Sequence, residues 1–250
     1  MELRNKLAVV IGASGGIGRE VSLALAEAKA NLILVARKMD SLDVLEKDLS
    51  KFSVKIDKFI CDVTSPDSIE KLGRILSLKY KSKGVDFLFH LAGIGVYKKL
   101  PDISYEEWKA SFDINVTSVF YITQQILPLL EKSDKAYVIA SGSGMGKVAL
   151  SDRSPYCASK FALRGLMLSL AKEYRKSHIK FVLLTLGSVI TAFGPLSLED
   201  KIEKQKKGKK YIDPIWLAEH IVTKIKHDTL TPETPIYPKH YFEESKKGKT

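Results

Sequence analysis

A run of glycines between a buried strand and a helix constrains this chain more than any other feature. Leu7-Ala-Val-Val-Ile11 is an unbroken apolar run of strand type, and Gly12 ends it. Gly12-Ala-Ser-Gly-Gly16-Ile-Gly18 follows, and apolar residues then return at helical spacing at Val21, Leu25 and Ala28. Glycine lacks a Cβ, so the chain can turn sharply and let a pyrophosphate approach the backbone. The helix start beyond it offers free N–H groups and the positive end of a dipole. A tight turn without a ligand would use glycines too. The position between first strand and first helix favours nucleotide binding.

The rest of the chain repeats that alternation. Leu32-Ile-Leu-Val35 is a second strand, Phe59-Ile60 ends a third, and Phe87-Leu-Phe-His-Leu91 is a fourth. Ala136-Tyr-Val-Ile-Ala140 and Phe181-Val-Leu-Leu-Thr185 are the fifth and sixth. Ile236-Tyr237, flanked by prolines, reads as a short edge strand. Helical spacing covers about residues 41–49, 111–130, 156–175 and 214–226. Ser65-Pro66 opens a further helix, a cap residue followed by proline. Strands alternating with helices predict a single α/β domain over 1–250, of Rossmann type. Its doubly wound parallel sheet should have about seven strands, with helices on both faces. The last stretch, 245–250, is rich in Lys and Gly and is expected to fray.

Composition narrows the classes. The chain has 250 residues, 45% hydrophobic and 28% charged, which excludes disordered and fibrous types. A formal net charge of +11 fits a nucleic acid, an anionic membrane surface, an anionic ligand or merely a lysine-rich surface. The lysines lack the interleaved aromatics of a base-stacking platform, which argues against nucleic acid. Cys61 and Cys157 are too few for a disulfide scaffold and suit a reducing compartment. The five histidines show no metal-ligand spacing, so no metal is expected. No apolar run approaches the ~20 residues of a membrane helix, and the first residues lack the apolar core of a signal peptide. The expectation is a soluble cytoplasmic protein.

Tyr156-Cys-Ala-Ser-Lys160 places a phenol and an ammonium one helical turn apart. A phenol is a poor acid or base near pH 7, because its pKa is about 10. A cation at ~4 Å and an effective dielectric of ~20 favours the phenolate by roughly 4 kcal/mol, about three pKa units at most. The pair alone arises often by chance. Its setting is more specific: Ser143 lies thirteen residues earlier, just past the fifth strand, and Asn115 lies near the start of the 111–130 helix.

The spacing Gly-x-x-x-Gly-x-Gly, with Asn115, Ser143 and Tyr156-x-x-x-Lys160 in this order, resembles the short-chain dehydrogenase/reductase family. The resemblance runs from Lys6 to about Tyr237. It implies an oxidoreductase that moves hydride between a nicotinamide and a ketone, aldehyde or secondary alcohol. By this resemblance Tyr156 is the acid/base, and Lys160 lowers its pKa and binds the nicotinamide ribose. Ser143 polarises the substrate oxygen, with Ser141 a less well spaced competitor, and Asn115 holds a relay water. Gly12, Ser14, Gly15, Gly16, Ile17, Gly18, Ala92, Gly93, Val189 and Thr191 would surround the cofactor. Asp62-Val63 resembles the strand end that contacts adenine.

The second strand ends Val35-Ala36-Arg37-Lys38. An acidic residue there would bind the ribose hydroxyls and repel a 2′-phosphate, and none is present. Arg37 and Lys38 instead suit a phosphate, which favours NADP(H) over NAD(H). Ile11, Leu91 and Leu186 depart from the Thr, Asn and Pro usual in the family. The segment 188–213 would form a substrate lid. It joins Phe193 to lysines 201, 204, 206, 207, 209 and 210, so an anionic handle competes with a solvated mobile loop. Tyr97 and Phe193 would line the substrate pocket. Beside an NADPH-dependent carbonyl reductase stand two other classes: a non-catalytic cofactor-binding regulator and a lysine-driven polyanion or membrane-surface binder. A 3-oxoacyl thioester reductase is a narrower form of the first. The resemblance also implies a homodimer or homotetramer, with Leu163, Leu166, Met167 and Leu170 as a pairing face unless core packing explains them.

Overall fold

The computed structural model describes residues 1–238, so the tail expected to fray at 245–250 lies outside them. One sheet holds β1 (Leu7–Ile11), β2 (Asn31–Ala36), β3 (Ile56–Ile60), β4 (Phe87–His90), β5 (Ala136–Ser141), β6 (Ile179–Leu186) and β7 (Glu233–Ile236). The order is β3-β2-β1-β4-β5-β6-β7, and every pairing is parallel. The edge strand expected around Ile236 is β7. From β1 the chain winds outward to β3, then crosses back to β4 on the other side of β1. The carboxyl ends of β1 and β4 therefore flank the switch point, where open α/β sheets leave a crevice.

The helices are α1 (Gly16–Glu27), α2 (Met39–Leu49), α3 (Pro66–Lys79), α4 (Tyr105–Phe112), α5 (Ser118–Leu130), α6 (Ser154–Glu173), α7 (Leu198–Lys206) and α8 (Pro214–Lys226). Strand alternation sorts them onto two faces. Ala8 and Val10 of β1 pack with Leu25 of α1, Leu45 of α2 and Ile221 of α8. Val9 and Ile11 pack with Leu72 of α3, Ile122 of α5, and Leu163 and Met167 of α6. Leu163 and Met167 are fully buried there, and Leu166 and Leu170 pack against the same core. Of the four residues considered for pairing between copies, Leu163 and Met167 are thus core, whereas Leu166 and Leu170 are half-buried at its edge.

Two segments differ from expectation. The single helix expected over 111–130 begins earlier, where Ser104 and Glu107 form a capping box, and is interrupted by a π-turn at Asp113–Thr117. Asn115 occupies that turn. Within 188–213 the chain is not a plain loop. Ile212 N–H donates to the Ser188 carbonyl at 2.8 Å and Ile190 N–H to the Ile212 carbonyl at 3.0 Å, which ties the two ends together. Between them stands α7, capped by Ser197 and Asp200. No helix among the described residues is long and apolar enough to cross a membrane.

Candidate active site

The glycine turn is built by close approach of main chain. Gly12 has φ +83°, and a Cβ there would lie 2.5 Å from the Ala92 nitrogen in the loop after β4. On Gly18 a Cβ would lie 2.1 Å from the Gly12 oxygen. Ser14, Gly15 and Gly16 are exposed, Ile17 is half-buried and Gly18 is buried. No side chain caps α1 at Gly15, and no acidic residue stands in its first turn. This helix start is open to an anion.

At the next strand ends, Ala36 is buried while Arg37 and Lys38 are exposed. Asp62 accepts from the Thr64 N–H at 2.9 Å and from its hydroxyl at 2.8 Å. Those bonds, with the nearby Arg37 charge, hold its carboxyl below the ordinary range. Val63 is buried beside it. Ile11, Leu91 and Leu186, the three departures, all pack into the cores on either side of the sheet.

The four expected catalytic positions converge past the ends of β4 and β5. Ser143 lies just beyond β5, where its oxygen accepts from the Met145 N–H at 3.1 Å. It is close enough to Tyr156, near the start of α6, to act on the phenol by drawing its pKa down. Lys160, one turn along α6, donates to the Ser141 carbonyl at 2.9 Å, and its Nζ stands 5.7 Å from the centre of the Tyr156 ring. Ser141, the competitor for the serine role, contributes its main chain instead. Gly93 brings backbone close to both Asn115 and Lys160.

Asn115 is fully buried and its amide is committed. Nδ2 donates to the Ile94 carbonyl and to Ser159 Oγ, each at 2.9 Å, and Oδ1 accepts from the Ile94 N–H at 3.0 Å. Both amide protons are spent, so the side chain ties the β4 loop to α6. Ser159, which the sequence did not single out, completes the link by donating to the Tyr156 carbonyl at 2.9 Å.

Burial reverses one electrostatic expectation. Lys160 was expected to lower the Tyr156 pKa. Instead the phenol is held above its ordinary value, first by burial, then by Tyr97, with Ser143 opposing. Lys160 is itself pushed down to about 8 by burial. Loss of water is the largest influence on both groups. The phenol stands protonated near neutral pH, the form that can give a proton to a carbonyl oxygen.

An aromatic wall surrounds Tyr156. Its ring centre lies 5.6 Å from that of Tyr97 and 5.9 Å from that of Phe193. The Arg153 guanidinium stands 5.4 Å over the Tyr97 ring, a neighbour the sequence reading missed. Val189 is tied to Ile212, and Thr191 packs on the turn: a Cβ on Gly16 would lie 2.7 Å from its methyl carbon. Of the six lysines between 201 and 210, Lys201 is buried and the other five are exposed. Lys201 therefore belongs to the interior of the 188–213 segment and is not among the lysines open to a solvent-borne anion.

Glu233 of β7 joins these parts from behind. It accepts from Arg164 of α6 at 3.0 and 2.9 Å and from the Thr185 hydroxyl at 2.8 Å. Lys147, just past the Ser143 turn, lies 3.0 Å away. The Arg164 bonds above all hold the Glu233 carboxyl down at about 2. The sequence carries no signal for this hub, because its members are far apart along the chain. No group of three or more His, Cys, Asp or Glu that could hold a metal occurs among the described residues.

A doubly wound parallel sheet with its glycine turn at the switch point is the frame of the dinucleotide-binding α/β proteins. The short chain dehydrogenase model matches residues 6–201, and the chain belongs to that family of oxidoreductases. It is 31% identical over 216 residues to an uncharacterized oxidoreductase of Staphylococcus saprophyticus, covering 85% of each chain. Its structure is similar to that of an alcohol dehydrogenase from the archaeon Thermococcus sibiricus complexed with 5-hydroxy-NADP. There the TM-score is 0.79 at 25% identity, over 94% of this chain and 96% of that one. It is also similar to an actinorhodin polyketide ketoreductase variant with NADPH, at TM-score 0.81 and 25% identity, over 93% and 95% of the two chains.

Proposed function

We propose that this chain is an NADP(H)-dependent oxidoreductase interconverting a ketone or aldehyde and its alcohol, with Tyr156 as acid/base. The observation that carries the reading is geometric: the buried Lys160 ammonium stands 5.7 Å from the centre of the buried Tyr156 ring, at the crevice where α1 begins without a cap. The residues fit a dinucleotide. The exposed glycine turn and α1 would receive the diphosphate, Arg37 and Lys38 the 2′-phosphate, and Asp62-Val63 the adenine end. Ala92, Gly93, Val189 and Thr191 would flank the nicotinamide half, near Lys160. When bound, the nicotinamide supplies or accepts hydride at the carbonyl carbon. Ser143 donates to the carbonyl oxygen and orients it, and Tyr156 delivers the proton there. Lys160 keeps a positive charge beside the phenol, so that the tyrosinate left behind is stabilised. Asn115 positions α6 against the β4 loop, and any relay water meets its main chain.

NADP(H)-bound similar structures support the cofactor assignment. The Tyr97, Phe193 and Arg153 surround favours an apolar carbonyl compound, with Arg153 able to meet an acidic group at the mouth. Two buried free thiols suit a reducing cytoplasm. Self-association as a dimer or tetramer would use the exposed Phe120 of α5 and Phe161 of α6, and light scattering reads it directly. Paired NADPH and NADH titrations followed by a carbonyl screen test the assignment. Tyr156→Phe should keep NADPH affinity and lose about 10²–10⁴ of turnover. Unchanged turnover in that variant would remove Tyr156 from the chemistry. Absence of binding to either nucleotide would remove the reading altogether.

A further inference from the structure

Lys201 breaks two local rules. It is the fourth residue of α7, close to the end where the helix dipole disfavours a cation. Its neighbours Glu199 and Asp200 and the Ser197 cap are what that end ordinarily carries. It is also only 6% exposed, whereas every residue from 202 to 210 is exposed. An ammonium taken out of water is costly unless strong acceptors replace the water.

The acceptors are two main-chain carbonyls of the segment that follows β6. Lys201 Nζ donates to the Thr191 oxygen at 2.6 Å and to the Phe193 oxygen. Both residues face the site. The Thr191 side chain fills the space beside Gly16, at the start of α1. The Phe193 ring lies against the Tyr156 ring. Thr191 Oγ1 also accepts from the Phe193 N–H at 3.4 Å, so the two residues form one short rigid corner.

We infer that Lys201 is a positioning residue. Its ammonium pins the main chain at Thr191 and Phe193, and so holds one wall against the glycine turn and the other over the tyrosine. A lysine suits this task because its long stem crosses from α7 to the corner and its charge strengthens both bonds. Without the ammonium, the corner keeps only the Thr191–Phe193 contact and the ties at Ser188 and Ile212, and the lid opens more often. The consequence for cofactor binding rests on the reductase reading. The clamp itself is a property of the lid and is tested separately.

The lid carries its own reporters, since trypsin cuts after the exposed lysines 204, 206, 207, 209 and 210. In the wild-type protein, acetylation of amines with acetic anhydride should modify Lys201 at least about tenfold more slowly than Lys204 or Lys206. Lys201→Met should raise tryptic cleavage within 204–210 about tenfold and weaken NADPH binding several-fold. Lys201→Arg, which returns charged donors, should restore both to within about threefold. Lys204→Met, which removes one cleavage site, should leave NADPH binding and cleavage after lysines 206, 207, 209 and 210 unchanged. Equal acetylation of Lys201 and Lys204, or cleavage of Lys201→Met at the wild-type rate, overturns the clamp. If Lys201→Met does not fold, the wild-type acetylation pattern decides. Faster cleavage of Lys201→Met in a protein that binds no NADPH would uphold the clamp and overturn the cofactor reading. Wild-type cleavage with normal NADPH binding would do the reverse.

Discussion

The Lys160 ammonium is aimed by the main-chain oxygen of Ser141, 2.9 Å away at the end of β5. A strand end thus fixes the lysine that stands beside the Tyr156 ring. This arrangement has a pH signature. Burial brings Lys160 down to about 8 and pushes Tyr156 up. Below pH 8 the lysine is charged, and as pH rises through that value it becomes neutral while the phenol keeps its proton. Carbonyl reduction should therefore be level on the acid side of about 8 and fall about tenfold per pH unit above it. A kcat/KM profile that stays level to about pH 10 would show that the Lys160 charge is not used.

Arg37 is exposed at the end of β2, and Ala36 before it offers no carboxylate to a ribose. Arg37→Ala should weaken NADPH binding about 10–100-fold, the worth of one charge-assisted bidentate contact, and leave NADH binding unchanged. Fluorescence titration with both nucleotides reads the difference. An equal loss for both would place Arg37 elsewhere than on the 2′-phosphate.

Two glycines of one turn should respond in opposite ways. A Cβ on Gly15 meets only the Gly12 oxygen at 3.4 Å, an ordinary contact, whereas one on Gly18 would stand 2.1 Å from that same atom. Gly15→Ala should fold with Tm within a few degrees of wild type. Gly18→Ala should lose several kcal/mol, as overpacking against backbone does, and appear largely in the insoluble fraction. A soluble Gly18→Ala with unchanged Tm would mean that the turn is looser than its contacts indicate.

Glu233 links stability to pH. Its folded pKa of about 2 lies below the ordinary 4.5 of a glutamate, so its contribution is full above 4.5 and is lost as pH falls toward 2. The shift corresponds to about 3 kcal/mol at neutral pH. Glu233→Gln should lower Tm by about 5–10 °C at pH 7, and the gap from wild type should close between pH 4.5 and 2. A gap independent of pH would assign the loss to shape rather than charge.

Much of this was legible in the sequence because strands and helices carry their own periodicity. β1 matches Leu7-Ala-Val-Val-Ile11 residue for residue, and Ser65-Pro66 does cap α3. Tyr156, Ser143 and Lys160 meet where their places at a strand end and a helix start require. What stayed hidden depends on contacts between distant residues. Asn115 sits in a π-turn held by Ile94 and Ser159, and hydrophobic spacing cannot report one extra residue in a turn. The capping box at Ser104 and Glu107 was readable and would have moved the helix start. Lys201 looked like one of six equal lysines because composition does not say which way a side chain turns. The direction of the Tyr156 pKa stayed hidden too, because residue spacing does not report how much water burial removes.

The glycine turn bears on how such a chain diversifies. Around Gly12, Gly18 and Ala92 the floor of the crevice is backbone lying on backbone, and side chains have almost no say in its shape. Random substitution there finds mostly broken proteins. Tyr97, Arg153 and Phe193 reach the same crevice from loops and a helix end, each through a side chain that can be exchanged singly. Selection for a new substrate, in nature or in a library, has room to work on that rim and little on the floor.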